Sequence, residues 1–211
     1  MNIHTILFDL DGTLIDTNKL ITESFYHTFN HFGLEFTHDE ILAFNGPPLK
    51  ETFEKIDLDK AEAMITTYRE HNLEHHDAYV KIFPNVKETL EKLKKQGIQL
   101  GIVTTKMRGT AIRGMKITGI YDYFDTIIAL DDITNAKPHP EPVLSAMKNI
   151  QADPETTLMV GDNHHDIESG HNAGVKTAGV AWSLKGEEVL RKYHPTYMLH
   201  DMKDLLEITG V

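Results

Sequence analysis

The sequence predicts an α/β fold, a parallel sheet with helices on both faces, carrying one all-helical insertion. Three observations predict it. From Phe83 onward, short apolar runs alternate with segments of helical period, the pattern that builds a parallel sheet. Before that, residues 18–80 show helical spacing alone, with no alternating run. The chain also opens on a single buried-strand pattern, Ile6-Leu7-Phe8, so the helical block interrupts the α/β region after its first strand. The expected division is residues 1–16 and 81–211 for the α/β core and 17–80 for the helical domain.

Taken in order, Gly12-Thr13 ends the first strand, leaving Asp9 and Asp11 where that strand exits the core. Leu20, Ile21, Phe25, Phe29 and Phe32 recur at helical spacing, and Gly33 stops that helix. Thr37-His38-Asp39-Glu40 is a capping box opening a second, short helix. Asn45-Gly46-Pro47-Pro48 makes a stiff loop before Leu49, Phe53 and Ile56, and a longer helix covers residues 59–79. Val86, Leu90 and Leu93 mark a helix ended by Gly97. Leu100-Gly101-Ile102-Val103 is a buried strand ending at Thr104-Thr105-Lys106. A helix over residues 108–117 leads to Gly119, and residues 126–130 form the next strand. Residues 140–150 are helical, and Thr157-Leu158-Met159-Val160 is a strand ending at Gly161-Asp162. A helix over 167–172 is closed by Gly174, Thr177-Ala178-Gly179-Val180 is one more strand, and a terminal helix surrounds Leu205. Ligands of such sheets bind beyond the carboxyl ends of the strands, where every chemically suggestive group of this chain sits.

Composition narrows the function. With 211 residues, 40% hydrophobic and 25% charged, the chain has the make-up of a globular protein able to bury a core. There is no cysteine, which excludes disulfides, a thiolate zinc site and a cysteine nucleophile. A formal charge of −11 argues against nucleic acid or an anionic membrane as partner. A small anionic substrate would need local cations or a metal. No apolar run approaches the roughly 20 residues of a membrane helix, and no signal-peptide pattern opens the chain. A cytoplasmic protein, monomeric or weakly dimeric, is the expectation.

Two carboxylates at a buried strand end need a reason, because buried charge is costly unless paired or bound to metal. Mg²⁺ supplies one: it takes hard oxygen ligands and commonly meets phosphate in the same site. The alternative is a plain Asp-Gly turn with one solvated Asp. Four stretches together favour the metal: Asp9 with Asp11, Thr104, Lys137, and Asp162 with Asp166. Their order and spacing resemble the haloacid dehalogenase superfamily of phosphohydrolases. The chain matches its DxDGT motif at residues 9–13, its strand-ending Thr at Val103-Thr104, its lysine motif at Lys137-Pro138 and its GDxxxD motif at residues 161–166. The resemblance implies a Rossmann-like core with a C1-type helical cap. It implies Asp9 as nucleophile forming an aspartyl-phosphate, Asp11 as general acid and base, Thr104 as a hydrogen-bond donor to the phosphoryl group, and Lys137 as orienter of Asp9. Mg²⁺ would be held by Asp9, Asp162 and the backbone carbonyl of Asp11, with Asp166 orienting metal waters or Lys137.

Within the superfamily, FDLDGTLIDTN (residues 8–18), LGIVTTK (100–106), LDDITNAK (130–137) and GVKTAGVAW (174–182) resemble a family of bacterial inorganic pyrophosphatases. That resemblance implies Mg²⁺-dependent hydrolysis of pyrophosphate, with a role in clearing pyrophosphate released when the seryl-phosphorylated carrier protein HPr is dephosphorylated. The runner-up is a phosphatase of a small organic phosphate such as phosphoglycolate, because the helical block is not conspicuously basic. A mutase of sugar phosphates shares the scaffold, and a non-catalytic phosphate-binding module is the reading from another class. Gly12, Thr105, Lys106 and Lys50 are candidate substrate contacts, Lys50 from a specificity loop at residues 46–50. Arg108 could add positive potential at the rim. His71 and His75 are expected on a solvated helix face, His164 and His165 at the mouth of the site, and Trp182 in packing.

Overall fold

The computed structural model describes residues 3–210. Its first half contains β1 (Thr5–Phe8), β2 (Ile15–Asp16), α1 (Asn18–His31), α2 (His38–Ala43), α3 (Leu49–Ile56), α4 (Ala61–Tyr79), β3 (Lys81–Ile82) and α5 (Val86–Lys95). Then follow β4 (Gln99–Val103), α6 (Arg108–Ile117), β5 (Thr126–Ile128), α7 (Glu141–Ile150), β6 (Thr157–Gly161) and α8 (His164–Asn172). β7 (Lys176–Val180), α9 (Glu187–Arg191), β8 (Tyr197–Leu199) and α10 (Asp204–Thr209) complete the chain. Six strands form one all-parallel sheet in the order β5-β4-β1-β6-β7-β8.

Side-chain alternation explains how the sheet is covered on both sides. Ile6 and Phe8 of β1 enter the same apolar cluster as Ile102, Val160 and Val180, covered by Leu90 and Leu93 of α5, Met115 of α6 and Leu205 of α10. Leu7, Val103 and Met159 point the other way, against Val143, Ala146 and Met147 of α7. Register then sets the site. Phe8 lies opposite Ile102 of β4 and Val160 of β6, so all three strands end level at one sheet edge. Asp9, Thr104 and Asp162 are the residues that emerge there.

The helices of residues 18–79 bury a separate apolar cluster, built on Phe25, Phe29, Phe53, Met64 and Tyr68. The Phe25 ring lies 4.8 Å from that of Tyr68 and 5.8 Å from those of Phe29, Phe44 and Phe53. Each such buried ring stabilises the block by about 1.5–3 kcal/mol. Thr37 and Glu40 cap α2 reciprocally, as the sequence pattern requires. Where the chain leaves and re-enters the α/β region, β2 and β3 pair antiparallel, Ile15 opposite Ile82.

Some local expectations shift. The long helix begins at Ala61 because the Asp57 carboxylate accepts the amides of Asp59 and Lys60, each at 3.1 Å, and holds that stretch as a turn. α8 starts at His164, earlier than apolar periodicity suggests, because Asn163 caps it together with Asp166. β8 and α9 carry too short a pattern to be read from sequence. No helix among the described residues is long and apolar enough to cross a membrane.

Candidate active site

Each acidic side chain of the site is set by an element end. Asp9 follows β1, its N–H donating to Val160 O at 2.8 Å, Asp162 follows β6, and Asp166 lies in the first turn of α8. All three are buried, and each offers a carboxylate oxygen within 4.8 Å of the others. One cation stands among them. Lys137 Nζ donates to Asp9 Oδ1 at 2.7 Å, to Asp166 Oδ1 at 2.5 Å and to the Val103 carbonyl at 3.0 Å, which uses its three protons. Burial pushes the Asp9 carboxyl up to about 7; Lys137 pulls it back, and Asp166 adds to the rise. Burial, together with the charges of Asp9 and Asp166, raises Asp162 well above the carboxylate range. Burial opposes the charge on Lys137, but Asp166 and Asp9 outweigh it and hold the ammonium above its usual value. Three buried carboxylates around one ammonium leave a negative excess, which suits a divalent cation with oxygen ligands.

Asp11 is held apart from that cluster. Its Oδ1 accepts Thr17 Oγ1 at 2.5 Å and Lys106 Nζ at 2.7 Å. Gly12 turns the chain at φ 82°, and a Cβ there would stand 2.5 Å from Asp162 Oδ2, so only glycine allows this approach. Thr104 donates its N–H to Ile128 O at 2.9 Å, and its buried Oγ1 accepts the amide of Lys106 at 3.1 Å. Asp9, Asp11, Thr104, Lys137, Asp162 and Asp166, drawn from four separated stretches, line one cavity.

A family profile described as haloacid dehalogenase-like hydrolase matches residues 6–180. The chain belongs to the haloacid dehalogenase-like hydrolase family. A Pyrophosphatase PpaX from Oceanobacillus iheyensis is 60% identical over 210 residues, covering 100% of this chain and 98% of the relative. One of the same name from Anoxybacillus flavithermus is 56% identical over 212 residues, covering 100% and 99%. Among solved structures, a haloacid dehalogenase-like family hydrolase from Streptococcus pneumoniae superposes with a TM-score of 0.87 at 29% identity, covering 98% of each chain.

In this hydrolase the cavity encloses about 300 Å³ between the sheet edge and the helical block. Ile21, Phe44, Leu49 and Leu73 supply an apolar wall, and Lys50, Arg69 and Lys106 bring cations to the lining. Lys50 is mostly exposed, 3.8 Å from Glu54. Thr105 turns from the phosphoryl side to the helical block, its Oγ1 donating to Gly46 O at 3.1 Å. Arg108 does not line the cavity; it pairs with Asp132 and the Ile127 carbonyl. His165 does line it, bonded through Nδ1 to Asn163 Oδ1 at 2.9 Å, and burial pushes its pKa down to about 4. His164 stacks on Tyr193, and Trp182 packs on Phe83. His71 and His75 lie on a half-exposed helix face, as expected, and there they form a ring stack. His71 lies 4.5 Å from His27 and 4.4 Å from His75, with its Nδ1 beside Ser24 Oγ, so it ties α4 to α1.

Sequence reasoning passed over three residues near this site. Asn163 caps α8 and reaches the helical block, its Nδ2 donating to Asn45 O at 3.0 Å. Lys185, beyond β7, donates to the same carbonyl at 2.8 Å, and burial lowers its pKa. Arg69 stands on α4. The rule that ligands gather beyond strand ends points toward Lys185; no periodic signal marks Arg69.

Proposed function

We propose that the chain hydrolyses inorganic pyrophosphate to two phosphates, with Asp9 as nucleophile and Mg²⁺ as its metal. The observation that carries this reading is 60% identity along the whole chain to a Pyrophosphatase PpaX. The site has the groups for the chemistry. Lys137 occupies Oδ1 of Asp9, leaving Oδ2 to attack phosphorus in line and form an aspartyl-phosphate while the bond to the leaving phosphate breaks. Asp11 gives its proton to that leaving oxygen, then takes one from the water that cleaves the intermediate. A phosphate oxygen arriving at Lys106 competes with Asp11 for the ammonium and frees the Asp11 carboxyl to face the leaving oxygen. Thr104 donates to the transferring group, and Lys50 and Arg69 face the leaving phosphate. Mg²⁺ bound by Asp9, Asp162 and the Asp11 carbonyl would supply charge neutralisation between carboxylate and phosphate. Residues 17–80 act in this reading as a cap domain that excludes water from a core made of 1–16 and 81–211.

A second reading has one observation in its favour. The wall of Ile21, Phe44, Leu49 and Leu73 suits the organic part of a small phosphate ester better than a second phosphate. The test is phosphate release with Mg²⁺ from pyrophosphate, phosphoglycolate and sugar phosphates, with Asp9→Asn as blank. Highest kcat/KM on pyrophosphate is expected. Preference for an ester would overturn the substrate and keep the chemistry; no turnover of any would overturn the enzymatic reading.

A further inference from the structure

Three loops at the sheet edge send a donor to one turn of the helical block. Asn163 Nδ2, after β6, reaches Asn45 O at 3.0 Å, and Lys185 Nζ, after β7, reaches the same oxygen at 2.8 Å. Thr105 Oγ1, after β4, reaches the next carbonyl, Gly46 O, at 3.1 Å. Gly46 has φ 115°, and a Cβ there would collide with the Asn163 amide, so the turn seats only because this residue is glycine. The donors are tied to the chemistry behind them. Thr105 adjoins Thr104, and Asn163 adjoins Asp162. The Lys185 loop is pinned through Ser183, whose Oγ donates to Asp162 O at 2.7 Å and accepts the Lys185 amide at 3.2 Å.

We propose that Lys185 is a positioning residue which, with Asn163 and Thr105, clasps the Asn45–Gly46 turn and holds the helical block closed over the site. The acceptors are backbone carbonyls, so the clasp reads the position of the turn and is indifferent to the side chain of residue 45. Its charged donor is half-buried and contributes most, because a hydrogen bond from an ammonium is worth about twice a neutral one. Thr105 and Asn163 each adjoin a site residue, and Lys185 reaches Asp162 through two hydrogen bonds at Ser183. Displacing either loop therefore loosens the clasp, and closing it returns both loops to place. Closure and the integrity of the site are one equilibrium, and the inference holds whichever phosphate compound is cleaved.

The test uses Lys185→Met, Lys185→Arg, Gly46→Ala and the double variant Lys185→Met/Gly46→Ala. Weakening closure reduces the population able to retain substrate, so KM for pyrophosphate rises roughly 10- to 100-fold in Lys185→Met while kcat changes far less. Lys185→Arg recovers most of that loss. Gly46→Ala shows the same split, and the double variant loses less than the product of the two single effects, because a methyl at Gly46 already displaces the turn whose carbonyl Lys185 bonds and leaves less for Lys185→Met to remove. Amide hydrogen exchange without substrate reads closure directly, and in either single variant the amides of Asn45, Gly46, Leu49 and residues 163–165 exchange faster than in the wild type. Multiplicative losses, a fall in kcat at constant KM, or unchanged exchange would each overturn the clasp. A wild type inactive on pyrophosphate would overturn the pyrophosphate reading alone, and the exchange comparison would still decide the clasp.

Discussion

Lys137→Met removes the one ammonium from a nest of buried carboxylates and keeps most of the side chain's volume. In the wild type Nζ serves Asp9, Asp166 and the Val103 carbonyl, all within 3.0 Å. Deleting one partner of a buried ion pair leaves the other unpaired, a loss of about 3–5 kcal/mol. The pH dependence is the sharper part. With the lysine present, Asp9 titrates near 7, and without it the carboxyl holds its proton to higher pH. Above pH 7 the folded variant therefore binds one proton more than the folded wild type, while the unfolded chains bind the same number at Asp9. The penalty then grows by about 1 kcal/mol between pH 7 and 8 and approaches about 1.4 kcal/mol per unit above that. Below pH 6 Asp9 is protonated in both proteins, and the difference flattens to what the loss of the Asp166 and Val103 contacts costs. Urea unfolding in EDTA at pH 5.5, 7 and 8 measures it, read from midpoints at constant m. A destabilisation that is the same at every pH, or below about 1 kcal/mol at pH 8, would refute the claim that Lys137 holds buried negative charge in place.

Mg²⁺ should raise the melting temperature more at pH 8 than at pH 6. Burial lifts Asp9 from 3.8 to about 7, so metal-free stability falls as pH rises through that window, and below 7 a metal must displace the proton. Calorimetry with EDTA or MgCl₂ checks this, and an equal gain at both pH values would exclude Asp9 as ligand. Gly12→Ala should cost about 1–2 kcal/mol from its φ of 82° and weaken the Mg²⁺ response further, since the new methyl would meet Asp162 Oδ2; an unchanged Mg²⁺ titration would show that Asp162 is not pushed. Arg69→Ala should lower kcat/KM for pyrophosphate about 10-fold while sparing an aryl phosphate, as a cation facing the second phosphate requires; equal losses on both substrates would remove Arg69 from leaving-group recognition.

The catalytic half of this molecule was legible because parallel-sheet geometry converts sequence order into spatial order. Asp9, Thr104 and Asp162 each follow an apolar run, and level strand ends bring such residues to one edge whatever the loops do. Lys137 was readable only through its motif, since no strand ends there, and its burial among carboxylates is a tertiary fact. The helical block was legible as helices, yet not what it offers the site. Arg69 adjoins the buried Tyr68 on a helix whose pattern records packing, and Lys185 follows a strand with no neighbouring motif. The position of Lys106 after a strand marks it as a substrate contact, but its partnership with Asp11 depends on how two loops fold. What links the legible and illegible parts is an imbalance of charge. Three buried carboxylates around one ammonium would be a defect in a protein selected for stability alone, because each desolvated charge lacks a full complement of partners. Local features that oppose folding mark the place where another requirement prevailed. In the proposed function, the cation that corrects the imbalance and the phosphate that follows it come from outside the chain, so the positions hardest to justify as structure are those with the clearest chemical use.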